Sequence, residues 1–363
     1  MSGYTPLHEK DIIDIFHDPK ALVQLCNRQR ESLNSFPAQS HFRVYAFLIV
    51  KCDNYDGYKV VEGANMEQGY IGGAICAERA ALSRLRMLSN PVIVKIVVTT
   101  DSVDPISPGM LCREYLMSSA AIETDVIIGN GPSTVVTVVP LGSLLPFPYL
   151  YRFYNRKEVT RYAESLSRSI NTEGWTARQK QLYTHARVAI VGDDKEALHP
   201  VRLAAAVLLE NGEIERTWML KGLEYGCTMC PVTLLLREME KRRLPQLCKP
   251  CNITDLEIDN GIMRKQSNDT AAQSSPENEI INLADIAAEV VGPRPECIVM
   301  LDQWGVAHAP FASARAILTE WGYGHVQILV HDEHGKACVS TAEALCPPPK
   351  DGRFLSHDSF KAE

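Results

Sequence analysis

Apolar positions along the chain fall into one layout that occurs twice. A helical run around residues 19–34 comes first, and His41-Phe-Arg-Val-Tyr-Ala-Phe-Leu-Ile-Val50 then reads as a strand. The polar segment Asp53-Asn-Tyr-Asp-Gly57 predicts a turn into a second strand over 58–62. Ala77, Ala80, Ala81, Leu82, Leu85 and Leu88 keep helical spacing, so a helix is expected from about 75 to 88. Val92-Ile-Val-Lys-Ile-Val-Val-Thr-Thr100 is a β-branched strand, a short helix starts near Pro108, and strands over 124–128 and 134–140 close the unit.

The second copy starts with a helical run near 175–190 and repeats the first strand as Val201-Arg-Leu-Ala-Ala-Ala-Val-Leu-Leu209, turning at Asn211-Gly212. A helix begins near Cys230, and the strand Cys297-Ile-Val-Met-Leu301 feeds another helix near Pro310. Pairing the copies sets Cys230 opposite Cys76, Val232 opposite Glu78, Phe311 opposite Gly109, Ala314 opposite Cys112 and Arg315 opposite Arg113. The expected organisation is one domain over 1–155, a polar, Ser-rich linker over 156–175, a second domain over 176–346 and a loose tail over 347–363. Within the second domain, residues 264–279 carry too little apolar content to pack and read as a flexible insertion.

Composition narrows the classes. A chain of 363 residues is too long for one ordinary domain and suits two. A net charge of −7 gives no general attraction for phosphate backbones or anionic membranes, so a small uncharged ligand is the expected partner. No run suits a membrane span and the N-terminus has no signal pattern. With 11 cysteines and no such signal, a reducing, cytoplasmic setting is expected, most of the thiols being buried and inert.

The chemistry concentrates in the first copy. Cys76 and Glu78 sit at the start of one helix, and Cys112 near the start of another. A thiolate followed by a carboxylate that moves protons without binding the metal is half of a zinc deaminase site. The other half is Pro-Cys-x-x-Cys, whose two sulfurs lie one helical turn apart. Here that place reads Ser107-Pro108-Gly109-Met110-Leu111-Cys112, so one cysteine is replaced by Gly109. Asp101 and Asp104, just ahead of Pro108, are candidate substitute donors, and water is another. In the second copy Val232, Phe311 and Ala314 retain the frame without the chemistry, and only Glu224 survives there from the polar trio of Asn65, Glu67 and Glu78.

Taken in order and spacing, Ser40-His41-Phe42, Gly63-Ala-Asn65-Met-Glu67, Cys76-Ala-Glu78, Ser107-Pro108 with Cys112-Arg113, and Leu144-Leu-Pro146 resemble the cytidine deaminase family over residues 36–152. The whole chain resembles the family's two-domain form. That resemblance implies an α/β fold of two tandem three-layer α/β/α domains, each around a mixed five-stranded sheet. It implies zinc held by Cys76 and Cys112, Glu78 as the proton carrier, Asn65 and Glu67 gripping the ribose hydroxyls, and Phe42 walling the pyrimidine pocket. It also implies assembly, taken here as a homodimer. The expected activity is deamination of free cytidine or deoxycytidine. The alternative is a catalytically silent relative with a binding or assembly role; polynucleotide editing is disfavoured by the charge and the lack of a basic groove.

Other motifs are weaker. Cys227-x-x-Cys230 and Cys248-x-x-Cys251 have zinc-ribbon spacing, but a helix over 231–243 would hold the pairs apart. Residues 69–73 lack the Lys-Ser/Thr ending of a phosphate loop. His41 and His308 are expected to be loop histidines with satisfied hydrogen bonds.

Overall fold

The computed structural model describes residues 5–33, 37–68, 73–195, 197–222, 228–247, 256–259, 262–265 and 293–347. Glu224, Cys227, Cys248, Cys251, residues 266–279 of the expected insertion and residues 348–363 of the tail lie outside this set.

The first half opens with helix α1 (Pro19–Ser32), nucleated by Asp18, whose carboxylate accepts from the backbone N–H groups of Lys20 and Ala21 at 3.0 Å each, with Pro19 in the first turn. Strands β1 (Val44–Cys52) and β2 (Tyr55–Ala64) then form a hairpin. The first strand is shorter at its start than its apolar pattern indicates, because His41 turns into the left-handed region at φ 54. The hairpin is also tighter than expected. Cys52 pairs with Tyr55, so the turn needs only Asp53 and Asn54. Helix α2 (Ala77–Leu85), strand β3 (Val92–Thr100), helix α3 (Met110–Met117) and strands β4 (Asp125–Gly129) and β5 (Val136–Pro140) complete the half.

Its sheet runs β2-β1-β3-β4-β5, with β3 and β4 parallel and every other neighbouring pair antiparallel. Side-chain alternation along β1 divides two cores. Tyr45, Phe47 and Ile49 pack with Leu22, Val23 and Cys26 of α1, while Ala46, Leu48 and Val50 pack with Ala77, Ala81, Leu82 and Leu116 of α2 and α3. Every one of these side chains is buried, each of the larger ones worth about 1.5–3 kcal/mol by removal from water.

The polar stretch after residue 155 contains an ordered helix, α4 (Arg156–Ser167), rather than only a connecting loop. Asn155 accepts from the N–H groups of Lys157 and Glu158, and Glu158 returns a bond to the Asn155 N–H. Val159, Ala163 and Leu166, spaced by four and three, face inward and are the signal that its serines and charges obscure.

The second half follows with α5 (Ala177–Ala189), β6 (Leu203–Leu209), β7 (Ile214–Trp218), α6 (Pro231–Leu247), β8 (Pro295–Asp302), α7 (Ala312–Glu320), β9 (Gln327–His331) and β10 (Ala337–Thr341). Its sheet order, β10-β9-β8-β6-β7, is the order of the first sheet, again with a single parallel pair, β8 with β9. A short strand, Ala307–His308, adds to β8. Helix α5 covers one face through Leu182, Tyr183 and Ala186, and α6 with α7 covers the other through Val232, Leu235, Leu236, Ala314 and Leu318. Residues 264 and 265, expected to begin the unpacked insertion, end a strand that runs Ile262–Lys265. The chain is therefore a mixed α/β protein with two mixed sheets, and no helix among the described residues is long and apolar enough to cross a membrane.

Candidate active site

Two helix starts meet above the β1 and β3 ends of the first sheet. Residues 66 and 75 form an isolated bridge, Met66 N to Ile75 O at 2.9 Å and Ile75 N to Met66 O at 3.0 Å, which delivers the chain to Cys76. Cys76 is the N-cap of α2, extended at φ −75 and ψ 157, and Glu78 lies in the first turn. Gly109 is the N-cap of α3, at φ −62 and ψ 159, and Cys112 lies in that first turn. The Cys76 Sγ, a Glu78 carboxylate oxygen and the Cys112 Sγ all lie within 4.8 Å of one another. They share a cavity of about 250 Å³ with Phe42, Asn65 and Glu67, so all six residues singled out from the sequence line one space.

Burial and neighbours tune these groups. Cys112 is 2% exposed and Glu78 3% exposed. A hydrogen bond from the Cys112 thiol, helped by Arg79, brings the Cys76 thiol down to about 6, so Cys76 is the readier thiolate. Cys112, as the donor of that bond and buried beside Glu78, is shifted upward. Burial raises Glu78 to about 7, against the pull of its helix-start N–H and the Cys112 thiol. Glu67 is held low by the Ser40 hydroxyl and the Ser40 N–H and stays an anionic acceptor.

The two sugar-clamp candidates are engaged with the loop before β1. The Asn65 amide accepts from Val44 N at 2.8 Å and donates to Phe42 O at 2.7 Å, pinning the two strands together at the rim. Glu67 accepts from Ser40 Oγ at 2.6 Å and from the N–H groups of Gln39 and Ser40 at 2.9 Å each. One amide hydrogen of Asn65 and the outer lone pairs of Glu67 remain for a ligand.

One site residue escaped the sequence reading. Arg79 lies one turn after Cys76, where its Nη2 donates to Ala74 O at 3.1 Å and faces the Cys76 Sγ at 3.6 Å, with Tyr115 under its guanidinium at 5.9 Å. The i, i+3 spacing from a thiolate was the available signal. The proposed substitute donors do not join the cluster. Asp101 Oδ2 is held by Arg43 through its N–H at 3.1 Å and its Nε at 3.5 Å, and Asp104 is exposed.

The donor chemistry suits a zinc ion. Two cysteine sulfurs and one carboxylate oxygen are all ligands that zinc accepts, they converge at two positive helix ends, and a cationic side chain stands beside them. A side chain added at Gly109 meets nothing within 4 Å, so that position opens into the cavity.

The second half repeats the frame. Leu220 and Met229 form the matching isolated bridge, Phe311 caps α7 at φ −64 and ψ 159, and Arg315 Nε donates to Pro310 O at 2.6 Å as Arg113 Nε does to Pro108 O at 2.7 Å. In the place of the donors stand the buried Val232 and Ala314, with Phe311 in the position of Gly109. A larger cavity, about 450 Å³, lies against Cys230 and Phe311 and is walled by Tyr149, Tyr151 and α3, with no donor cluster among the described residues. His308 is not a loop residue. It is buried, with Nε2 2.9 Å from Asp302, which the Tyr151 hydroxyl also reaches.

Over 129 residues, 36% of this chain and 92% of the relative, the sequence is 30% identical to a cytidine deaminase of Halalkalibacterium halodurans. Among solved structures, the cytidine deaminase of Burkholderia pseudomallei matches at 30% identity and a TM-score of 0.32, over 36% of this chain and 97% of that one. That of Mycobacterium leprae matches at 24% identity and a TM-score of 0.29, over 36% of this chain and 98% of that one. No established family profile matches the chain.

Proposed function

Because this chain belongs to the cytidine deaminase family, we propose that it hydrolyses free cytidine or deoxycytidine to the uridine form and ammonia. The observation that carries this reading is the convergence of Cys76, Glu78 and Cys112 in one cavity with Phe42, Asn65 and Glu67. Cys76 and Cys112 are the residues that hold zinc. Bound there, zinc supplies Lewis acidity that makes water a nucleophile near neutral pH.

The chain's own groups do the rest. Phe42 walls the flat ring, and Glu67, ionised at neutral pH, accepts from the sugar hydroxyls while Asn65 donates its free amide hydrogen. These contacts fix the ring carbon against the attacking water. Glu78, with its affinity for protons near neutrality, takes one from the water and passes it to the ring nitrogen and then to the departing amino group. Water is added, the carbon–nitrogen bond breaks, and the proton count closes with ammonia.

The tandem arrangement then becomes two cytidine-deaminase-like domains, the first catalytic and the second a scaffold, with two chains pairing as a homodimer. The partner is a nucleoside, neither nucleic acid nor membrane. The test is direct. The zinc-loaded 363-residue chain should hold close to one metal per chain and deplete cytidine absorbance, with Glu78→Gln abolishing turnover. A second reading, a silent binding or assembly subunit, is favoured by the glycine in a ligand position. Protein that takes up no zinc and leaves cytidine unchanged would establish it.

A further inference from the structure

We propose that in this chain the Glu78 carboxylate is itself the third protein donor to the metal, filling the role left open at Gly109. The inference rests on the reading that Cys76 and Cys112 hold zinc, and adds a residue to that donor set.

Four observations carry it. First, the carboxylate is already a member of the cluster, within 4.8 Å of both sulfurs. Second, the backbone at Gly109 keeps the extended N-cap conformation found at Phe311, so the open space comes from glycine's lack of a side chain and not from a displaced helix. A Cβ placed there has no neighbour within 4 Å. Third, among the described residues no other histidine, cysteine or acidic side chain joins the three-donor cluster: Glu67, in the same cavity, is held by Gln39 and Ser40, and Asp101 is bound to Arg43. Fourth, Glu78 is 3% exposed, and none of the ion pairs among the described residues includes it. Arg79, the nearest cation, spends its Nη2 on Ala74 O and the Cys76 sulfur. In its ionised form, a carboxylate so enclosed is costly unless a cation meets it.

A carboxylate has two oxygens. One can face the ion while the other still exchanges a proton, so ligation and proton transfer do not exclude each other. The role also predicts its own relief. A cysteine side chain introduced by Gly109→Cys has room, and would restore a third sulfur and release Glu78 from ligation.

The experiment is a double-mutant cycle on the full chain: parent, Glu78→Gln, Gly109→Cys and the double variant, each titrated with zinc against a chromophoric chelator. Cobalt spectra would report the donor set. Expected is a loss of about tenfold or more in zinc affinity on Glu78→Gln in the parent, shrinking to within about twofold in the Gly109→Cys background. Glu78→Ala should behave alike, and melting of the metal-free proteins checks that each variant folds. Equal losses in both backgrounds, or no loss in the parent, overturn the inference while leaving a zinc site and its chemistry standing. A parent chain that neither retains zinc nor consumes cytidine overturns the functional reading with it.

Discussion

Arg113 and Arg315 occupy matching places in the two halves, and each reaches the other half. Arg113 Nη1 donates to Leu144 O of its own half at 3.0 Å and to Pro347 O at 2.9 Å. Arg315 Nη1 donates to Leu345 O of its own half at 3.1 Å and across to Pro146 O at 2.7 Å. Both guanidinium groups are buried, at 1% and 3% exposure. The end of each half thus closes over the arginine of the other.

This reciprocity predicts that lysine cannot replace either arginine. A single ammonium does not reproduce the fork, and the carbonyls left behind are buried. Arg113→Lys and Arg315→Lys should each cost about 2–4 kcal/mol in urea unfolding, and the double variant should depart from additivity.

Gly63 passes so close to α2 that a Cβ there would strike the Ala77 carbonyl and the Ala81 nitrogen, both backbone atoms. Gly63→Ala should cost about 1–3 kcal/mol. Because α2 carries Cys76 and Glu78, zinc affinity should fall with it. A variant that melts lower but binds zinc as the parent does would show that the helix start is held by something else.

Much of this was readable in the residues. The strand over Val92–Thr100 has the limits its β-branched run gives it, and the matching of Cys230 with Cys76 is upheld by the paired bridges at Met66 and Leu220. Unbroken apolar runs and helix-start chemistry are local signals and survive without tertiary information. What escaped was non-local. Arg79 is surface-like by type and matters only because Cys76 and Tyr115 surround it. The capture of Asp101 by Arg43, and of Asn65 by Phe42 and Val44, depends on how two strands meet. Strand β10, Ala-Cys-Val-Ser-Thr, has little apolar content and so gives a weak signal.

Glu114 gives a pH dependence with a defined sign. Burial between the halves raises its carboxyl above 4.5, against the Ala312 N–H that it accepts at 3.0 Å. Through the window that opens above that value the folded state holds the proton more tightly than the unfolded chain. Stability contributed there is full below the ordinary carboxyl range and declines as pH rises through the folded value. Glu114→Gln should flatten this decline and leave the variant more stable than the parent at neutral pH. Denaturation at a series of pH values from about 4 to 8 measures the difference; parallel curves would refute it.

Asn65 pins the rim of the sheet, and under the proposed function it would also hold the sugar; two measurements on one substitution tell these apart. Asn65→Asp keeps the acceptor for Val44 N but loses the donor to Phe42 O. The expected cost is about 1–2 kcal/mol in metal-free protein, with no substrate present. A weaker hold on the sugar should appear separately, as a raised KM.

The apolar core behind Cys112 includes Ala312 and Cys346, which come from the half that has no donor cluster among the described residues. That half is consequently not spare. Removing the second half would strip the first of part of its interior, take Pro347 O from Arg113, and bare the Pro146 and Phe147 carbonyls that Arg315 now binds. The two halves differ in the lining of their helix starts, Val232 and Ala314 standing where Glu78 and Cys112 stand, while the seam between them is built from the same arginine contacts on both sides.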